Sequence, residues 1–189
     1  MVTGAGERII EQADDLMRSQ PDNIANAKAA VREAFAGVTL GGGVGLSEAQ
    51  ALDDYASNEV RAACRAGDEK SDWAAIPLKD LNRHSGSPAF LDAEGMRFHL
   101  PAYMIADLDG DYRHEFAPYL CGCQEKFSLL TPLQRNAVEM YLRAISEKEN
   151  LPSYQDDIER ALEEWVDSTR FPGERLKADR VNLRQEVVT

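Results

Sequence analysis

The stretch Phe90-Leu-Asp-Ala-Glu-Gly-Met-Arg-Phe-His-Leu-Pro-Ala-Tyr-Met-Ile105 begins with the clearest β-strand signal in this sequence. Two short apolar runs, residues 89–91 and 96–100, flank the tetrapeptide 92–95. An Asp at the first position of a tight turn, followed by Gly where φ is positive, is typical of a hairpin turn with a bulge. We therefore predict a small β-hairpin near residues 89–100 that ends at Pro101 and is followed by a short helix.

On both sides of this hairpin, apolar residues recur with the spacing of amphipathic helices. The N-terminal helix is predicted over residues 5–19 and the next from Ile24 to Phe35, where Gly37 ends it. A further apolar stripe runs over residues 47–67 and is interrupted at Ser57-Asn58.

Capping patterns mark where two of the predicted helices begin. Ser47 with Gln50 forms a capping box at the start of one helix. Thr131-Pro-Leu-Gln134 combines an N-cap Thr, a Pro at the first helical position and a Gln that completes the box. A last amphipathic helix is predicted over residues 154–168.

These elements predict an α+β fold that is mainly α-helical, with about six helices and one small hairpin. Strands and helices do not alternate, which argues against a doubly wound α/β fold. The length of 189 residues suits a single domain over residues 1–189. Within it we expect a core over about residues 24–146, with the helices at 5–19 and 154–168 as additions.

The chain is acidic, with 21 Lys and Arg residues, 33 Asp and Glu residues and a net charge of −12. Nucleic-acid binding needs a basic stripe, so this balance argues against a nucleic-acid partner. The acidic residues are spread along the chain, yet the stretch 87–127 has the fewest basic residues. If the charge steers a basic protein partner, this stretch is the expected surface.

Targeting signals and cysteines indicate the compartment. The N-terminus has acidic residues early and no apolar core, so we predict no signal peptide. No apolar run is long enough to span a membrane, so we predict no membrane partner. The odd cysteine count of three fits reduced thiols, and we predict a cytoplasmic protein.

Three short motifs resemble binding sites without completing them. The segment Gly41–Gly45 lacks the Lys-Ser/Thr ending of a phosphate loop and suits a connector. The alternating acids Asp107, Asp109 and Asp111 lack the Gly and Glu of a calcium loop. Cys121 and Cys123, with His114 nearby, lack a second ligand pair for zinc. We therefore predict neither a metal nor another cofactor.

The candidate catalytic residues cluster around the predicted hairpin: Asp92, Glu94, His99 and Tyr103. A carboxylate and an imidazole can act as general acid and base when they lie within hydrogen-bond reach. Asp92 is also explained by the turn, and His99 alternates with apolar neighbours, which suits a structural histidine. No Ser or Cys stands in a nucleophile elbow, so nucleophilic catalysis has no support.

Four motifs in order resemble a bacterial family described only as a domain of unknown function. They are Ala51-Leu-Asp-Asp-Tyr55, Asp72-Trp73 with Ile76-Pro77, the stretch 90–105, and Leu129-Leu-Thr-Pro-Leu-Gln134. The resemblance spans about residues 24–146 and implies an extent for the domain, with no activity and no catalytic residues.

Three functions remain open. The first is a non-catalytic interaction protein, such as an immunity or antitoxin-like protein that masks a basic partner. The second is a small hydrolase or ligand-binding protein with a site around residues 92–103. The third is a structural homo-oligomer whose exposed apolar helix faces pair.

Overall fold

Helices make up all the regular structure in the part of the chain that is described. The computed structural model describes residues 22–122, 124–147 and 155–168. These residues form seven α-helices, joined in places by short 3₁₀ turns. The helices are α1 (22–34), α2 (Leu46–Asp53), α3 (Asn58–Gly67), α4 (Leu78–Arg83), α5 (Ala93–Asp109), α6 (Pro132–Ser146) and α7 (Gln155–Ser168). The turns are Trp73–Ala75, Ser87–Phe90, Ala117–Leu120 and Gln124–Phe127.

The predicted β-hairpin at residues 89–100 is wrong, and with it the α+β assignment, because the described ranges contain no strand. Asp92 is instead the N-cap of α5, and its Oδ1 accepts the backbone N–H of Gly95 at 2.7 Å. A helix N-cap and a type I turn use the same local arrangement, an Asp carboxylate accepting an N–H two or three residues on. The tetrapeptide 92–95 is therefore compatible with both structures, and the mainly helical part of the prediction is the part that is confirmed.

Helix α5 runs through the centre of the fold and is buried on nearly all sides. Its buried residues include Phe98, His99, Leu100, Tyr103 and Met104. A helix that is apolar all round shows no polar face, so its period cannot be read from the sequence. Pro101 lies inside this helix rather than ending a strand. Its missing N–H deprives the carbonyl four residues earlier of an intrahelical donor, and the surrounding packing outweighs that loss.

The predicted capping box at Thr131 is confirmed. Thr131 Oγ1 accepts the Gln134 N–H at 3.3 Å, and Gln134 Oε1 accepts the Thr131 N–H at 3.0 Å. The capping box at Ser47 is wrong, because α2 begins at Leu46 with Gly45 as its N-cap. Glu48 reaches back instead, accepting the Gly45 N–H at 3.3 Å.

The outer helices are joined to the core through tryptophan side chains. Trp73 Nε1 donates to the Phe35 carbonyl at 2.8 Å, which joins the turn after α3 to the end of α1. Trp165 Nε1 donates to the Leu120 carbonyl at 3.0 Å, which anchors α7. Helix α7 corresponds to the helix predicted at 154–168, whereas the helix predicted at 5–19 lies outside the described residues. No helix in the described ranges has both the length and the apolar content needed to cross a bilayer.

Candidate functional site

Helices α2 and α3 pack together over a buried carboxylate. Glu48 is 8% exposed and forms ion pairs at 3.4 Å with both Arg61 and Arg65. Arg65 also donates to the Gly41 carbonyl at 2.9 Å and to the Gly43 carbonyl. The carbonyls of the glycine segment are therefore bound by an internal guanidinium, which holds this connector against α3.

The N-terminus of α2 is capped by a side chain from the far end of α3. Asp68 Oδ1 accepts the Ser47 N–H at 2.9 Å, and its Oδ2 accepts the Glu48 N–H at 3.2 Å. A free helix N-terminus attracts anions because its first N–H groups lack partners. Here an internal carboxylate already takes that place, so this end of α2 is not open to an external anion.

Beside this cap lies a cavity of about 300 Å³, which we call the His99 cavity. It is bounded by the start of α2, the segment after α3, the start of α4 and one side chain of α5. The residues that line it are Leu46, Ser47, Gly67, Asp68, Glu69, Ala75, Ile76, Pro77, Asp80 and His99. Its polar groups are mostly acceptors, and no Lys or Arg is among these residues.

His99 is the most deeply buried polar residue of the cavity, at 1% exposed. Its Nδ1 lies 2.7 Å from the Gly95 carbonyl oxygen. Because a carbonyl oxygen can only accept, Nδ1 carries the proton, and Nε2 of the neutral ring is an acceptor. Burial lowers the pKa of His99 to about 4, against opposing effects of the Gly95 hydrogen bond and the charges of Asp68 and Asp92.

Besides Asp68, the cavity has two carboxylates, Glu69 and Asp80, and they differ in the number of hydrogen bonds they accept. Glu69 accepts the backbone N–H groups of Lys70, Ser71 and Asp72, and these bonds lower its pKa. Within the described ranges, the Asp80 carboxylate makes no hydrogen bond or ion pair, and its charge acts on nearby His84. Asp80 is thus a carboxylate of the cavity that makes no hydrogen bond among the described residues, and Nε2 of His99 is a second unused acceptor.

The four predicted site residues do not meet in one cavity. Asp92 Oδ1 accepts the N–H groups of Gly95 and Val44, at 2.7 and 3.0 Å, and Glu94 lies against the glycine segment. Of the four, only His99 lines the His99 cavity.

Tyr103 does not line the His99 cavity and contacts other groups. Its hydroxyl donates to the His84 carbonyl at 3.1 Å, and its ring stacks on Phe116 with centroids 4.9 Å apart. Burial raises its pKa above the ordinary tyrosine value, so the phenol stays protonated.

Sequence reasoning missed Asp68 and Asp80 as site residues. Asp68 directly follows the last residue of α3, and Asp80 lies in the first turn of α4. An acidic residue is ordinary in the first turn of a helix, so Asp80 carries no local signal of function. Asp68 stands just past the end of α3 in the charged run Asp68-Glu-Lys70 and belongs to no recognisable motif. Only the packing of α2, α4 and α5 brings them to one cavity.

A second surface feature lies at the opposite end of α2, where four residues form what we call the acidic corner: Asp53, Asp54, Tyr55 and Glu59. Tyr55 N–H donates to the Leu52 carbonyl at 3.1 Å, and Ala56 N–H to the Ala51 carbonyl at 2.9 Å. This pair of bonds is a Schellman motif, whose left-handed position usually holds Gly. Here it holds Tyr55, at φ 53° and 97% exposed.

The motifs that resemble metal sites are tied into the fold. Asp109 forms an ion pair with Lys28, and Asp107 accepts the Tyr141 hydroxyl. Cys121 Sγ approaches the Asp157 carbonyl at 3.4 Å, and burial raises its pKa, whereas Cys123 lies outside the described residues. Among the residues with described side chains, no three potential ligands are grouped to hold a metal ion.

Comparison with known protein families gives a match over most of the chain. The model of a family described as a family of unknown function, DUF6714, covers residues 23–169. This confirms the predicted resemblance to a domain of unknown function and extends it through α7. No curated protein and no solved structure matches the chain.

Proposed function

We propose that this chain, which belongs to the family of unknown function DUF6714, is a non-catalytic interaction module that binds a basic protein partner. The binding surface is the acidic corner at the end of α2 and not the stretch 87–127, because α5 occupies much of that stretch and is mostly buried. A protein of this kind acts by covering a positively charged surface of its partner, as an immunity or antitoxin protein does. The proposal concerns binding alone and needs no nucleophile or cofactor.

The conformation of Tyr55 is the observation that carries the proposal. A left-handed backbone costs a residue with a Cβ about 1–2 kcal/mol relative to the ordinary helical region. Because the side chain is 97% exposed, packing against the described residues does not compensate for that cost. Strained residues of this kind concentrate at functional sites, and Tyr is among the residues that dominate binding energy at interfaces.

The charges around Tyr55 support a basic partner. Asp53 and Asp54 directly precede Tyr55, Glu59 follows in the first turn of α3, and all three side chains are exposed. The nearest basic residues along α3, Arg61 and Arg65, are turned toward Glu48 and do not neutralise the corner. An uncompensated negative surface speeds association with a positively charged protein, and salt weakens that effect.

Photo-crosslinking from position 55 tests the proposal. Tyr55 is replaced by the photoreactive residue p-benzoylphenylalanine in the native host, and exposed Glu163 on α7 receives the same residue as a control. We expect a basic protein to be crosslinked from position 55 and not from position 163. The same set of proteins at both positions, or an acidic partner at position 55, would overturn the proposal.

The captured partner then allows a quantitative test. We expect Tyr55→Gly to weaken its binding about tenfold or more, because the central aromatic contact is lost. The double variant Asp53→Asn with Asp54→Asn should lower the association rate about tenfold at low salt and have little effect at high salt. Binding that is independent of both salt and Tyr55 would contradict the proposed surface.

The alternative function, a hydrolase or ligand-binding protein around residues 92–103, has support only in its ligand-binding form. His99 lines a cavity, but Asp92, Glu94 and Tyr103 hold backbone groups or lie outside it. A buried, neutral imidazole with one free acceptor suits the recognition of a ligand.

A further inference from the structure

We propose that the His99 cavity is a binding site for a small organic cation, either an ammonium or a guanidinium group. The site is separate from the acidic corner and does not depend on the function proposed above. It lies at the beginning of α2, whereas the acidic corner lies at its end. Its volume of about 300 Å³ is at the lower end of the range for ligand pockets, which suits a small ligand.

His99 offers a hydrogen-bond acceptor that no described residue uses. The side chain is 1% exposed, and its Nδ1–H is bound to the Gly95 carbonyl. Within the described residues, the other ring nitrogen, Nε2, makes no hydrogen bond. Because the ring lines the cavity, a ligand there that offers an N–H or O–H donor can bond to the Nε2 lone pair.

Three carboxylates line the wall of the cavity, and they differ in what they bind. Asp68 and Glu69 accept backbone N–H groups, whereas Asp80 has no hydrogen bond among the described residues. The carboxylate of half-buried Asp80 therefore lines the cavity with no Lys or Arg paired to it among the described residues. A ligand that donates to both Nε2 of His99 and Asp80 would bond to the neutral acceptor and pair with the carboxylate. An ammonium or guanidinium group can do both, because it carries a positive charge and several N–H donors.

Other ligand classes fit less well. An anion would meet three carboxylates, and the N–H groups at the start of α2 are already bound by Asp68. A metal ion needs three or four ligating side chains together, and no such group occurs among the described side chains. A neutral ligand would leave the Asp80 charge unpaired.

Calorimetric titration with methylguanidinium, using the neutral isostere methylurea as the matched ligand control, tests the site. We expect methylguanidinium to bind at least tenfold more tightly than methylurea. Asp80→Asn should remove that preference, whereas Glu163→Gln, a carboxylate exposed on α7, should leave it unchanged. Equal binding of the two probes, or a preference that survives Asp80→Asn, would overturn the proposal.

A second variant tests the imidazole. Asn at position 99 can keep a donor near the Gly95 carbonyl but lacks the atom equivalent to Nε2. We expect His99→Asn to weaken methylguanidinium binding at least fivefold, and ¹⁵N spectra of the wild type to show the Nε2 resonance moving on titration. An unmoved Nε2 resonance at saturation would contradict the assigned contact, even if the Asn variant folded poorly.

The same cation can come from a free metabolite or from an Arg or Lys side chain of a protein. Titration with the peptide Gly-Arg-Gly, capped at both ends, separates these sources. Tighter binding of the peptide than of methylguanidinium would assign the cavity to a protein side chain, and weaker binding would assign it to a free amine. Tyr55→Gly should leave both affinities unchanged, so this test can fail or succeed independently of the acidic corner.

Discussion

Gly43 and Gly95 lie so close together that a Cβ added to Gly43 would sit 2.5 Å from the Gly95 backbone nitrogen. The approach is mutual, because a Cβ added to Gly95 would lie 2.5 Å from the Val44 carbonyl oxygen. The first turn of α5 therefore packs backbone to backbone against the glycine segment. This contact holds the first turn of α5 close to the start of α2, and it sets the position of His99, which lies one turn beyond Gly95.

Gly95→Ala should destabilise the protein despite its helical position. In a free helix the change would stabilise by about 1 kcal/mol. Here the added methyl group meets backbone atoms that cannot rotate away, and overpacking of this kind costs about 1–3 kcal/mol. We expect a net loss in the free energy of unfolding by urea.

Gly67→Ala is the matched control for that measurement. Gly67 is also helical, as the last residue of α3, and a Cβ there would meet nothing within 4 Å. We expect it to be neutral or slightly stabilising. If both variants lost stability equally, the close contact at Gly95 would not be the cause.

Asp92→Ala should cost about 1–2 kcal/mol of unfolding free energy. The substitution removes the N-cap of α5 and the acceptor for the Val44 N–H. Asp92→Asn retains a side-chain oxygen at the same place and should lose much less. Urea denaturation of the two variants separates the hydrogen bonds from the charge, and equal losses would show that the charge dominates.

Tyr55→Gly should stabilise the protein by about 1 kcal/mol. Gly adopts the left-handed backbone without steric cost, and the lost side chain is 97% exposed, so little packing is sacrificed. Greater freedom of Gly in the unfolded chain reduces the gain somewhat. Tyr55→Asn, which also tolerates this region, should stabilise in the same direction. Thermal and urea unfolding measure the effect, and a destabilised Gly variant would show that Tyr55 is not strained.

Stability should fall as the pH drops from about 6.5 to about 4. The pKa of His99 is about 4 in the folded protein, against 6.5 ordinarily, so between these values the unfolded chain binds a proton that the folded chain does not. The stabilisation is complete above pH 6.5, and its loss reaches about 3 kcal/mol at most near pH 4. His84, whose pKa burial also lowers, contributes in the same direction.

The His99→Asn variant isolates this effect. Its urea midpoint should depend less on pH over the same interval than that of the wild type, while His84→Asn should retain most of the dependence. Parallel pH profiles for wild type and His99→Asn would mean that His99 is not buried as a neutral ring.

Prediction from sequence succeeds where a helix has one apolar face and its own cap. Helix α6 shows both, with a buried stripe that includes Ala137 and Tyr141 and the capping box at Thr131. It fails at residues 89–100, because the Asp-to-Gly spacing suits a turn as well as an N-cap. Helix α5 then lacks a polar face that could correct the interpretation.

The candidate site residues were also only partly recognisable from the sequence. His99 is recognisable from sequence as a chemically capable residue, but its partners Asp68 and Asp80 come from elements that are distant along the chain. Tyr55 belongs to the motif 51–55, yet its left-handed φ follows from where α2 ends and α3 begins, at Asp53 and Asn58.

Local sequence was therefore sufficient for the acidic charge, the amphipathic helices α1, α6 and α7, and the cap at Thr131. These features depend on interactions within one or two turns of chain, which neighbouring residues specify. Long-range packing settled the rest: the helical state of 93–100, the backbone contact between Gly43 and Gly95, and the grouping of His99 with Asp68 and Asp80. Burial and close backbone approach are properties of elements in contact, and they outweigh the weak local preferences of a turn-like sequence.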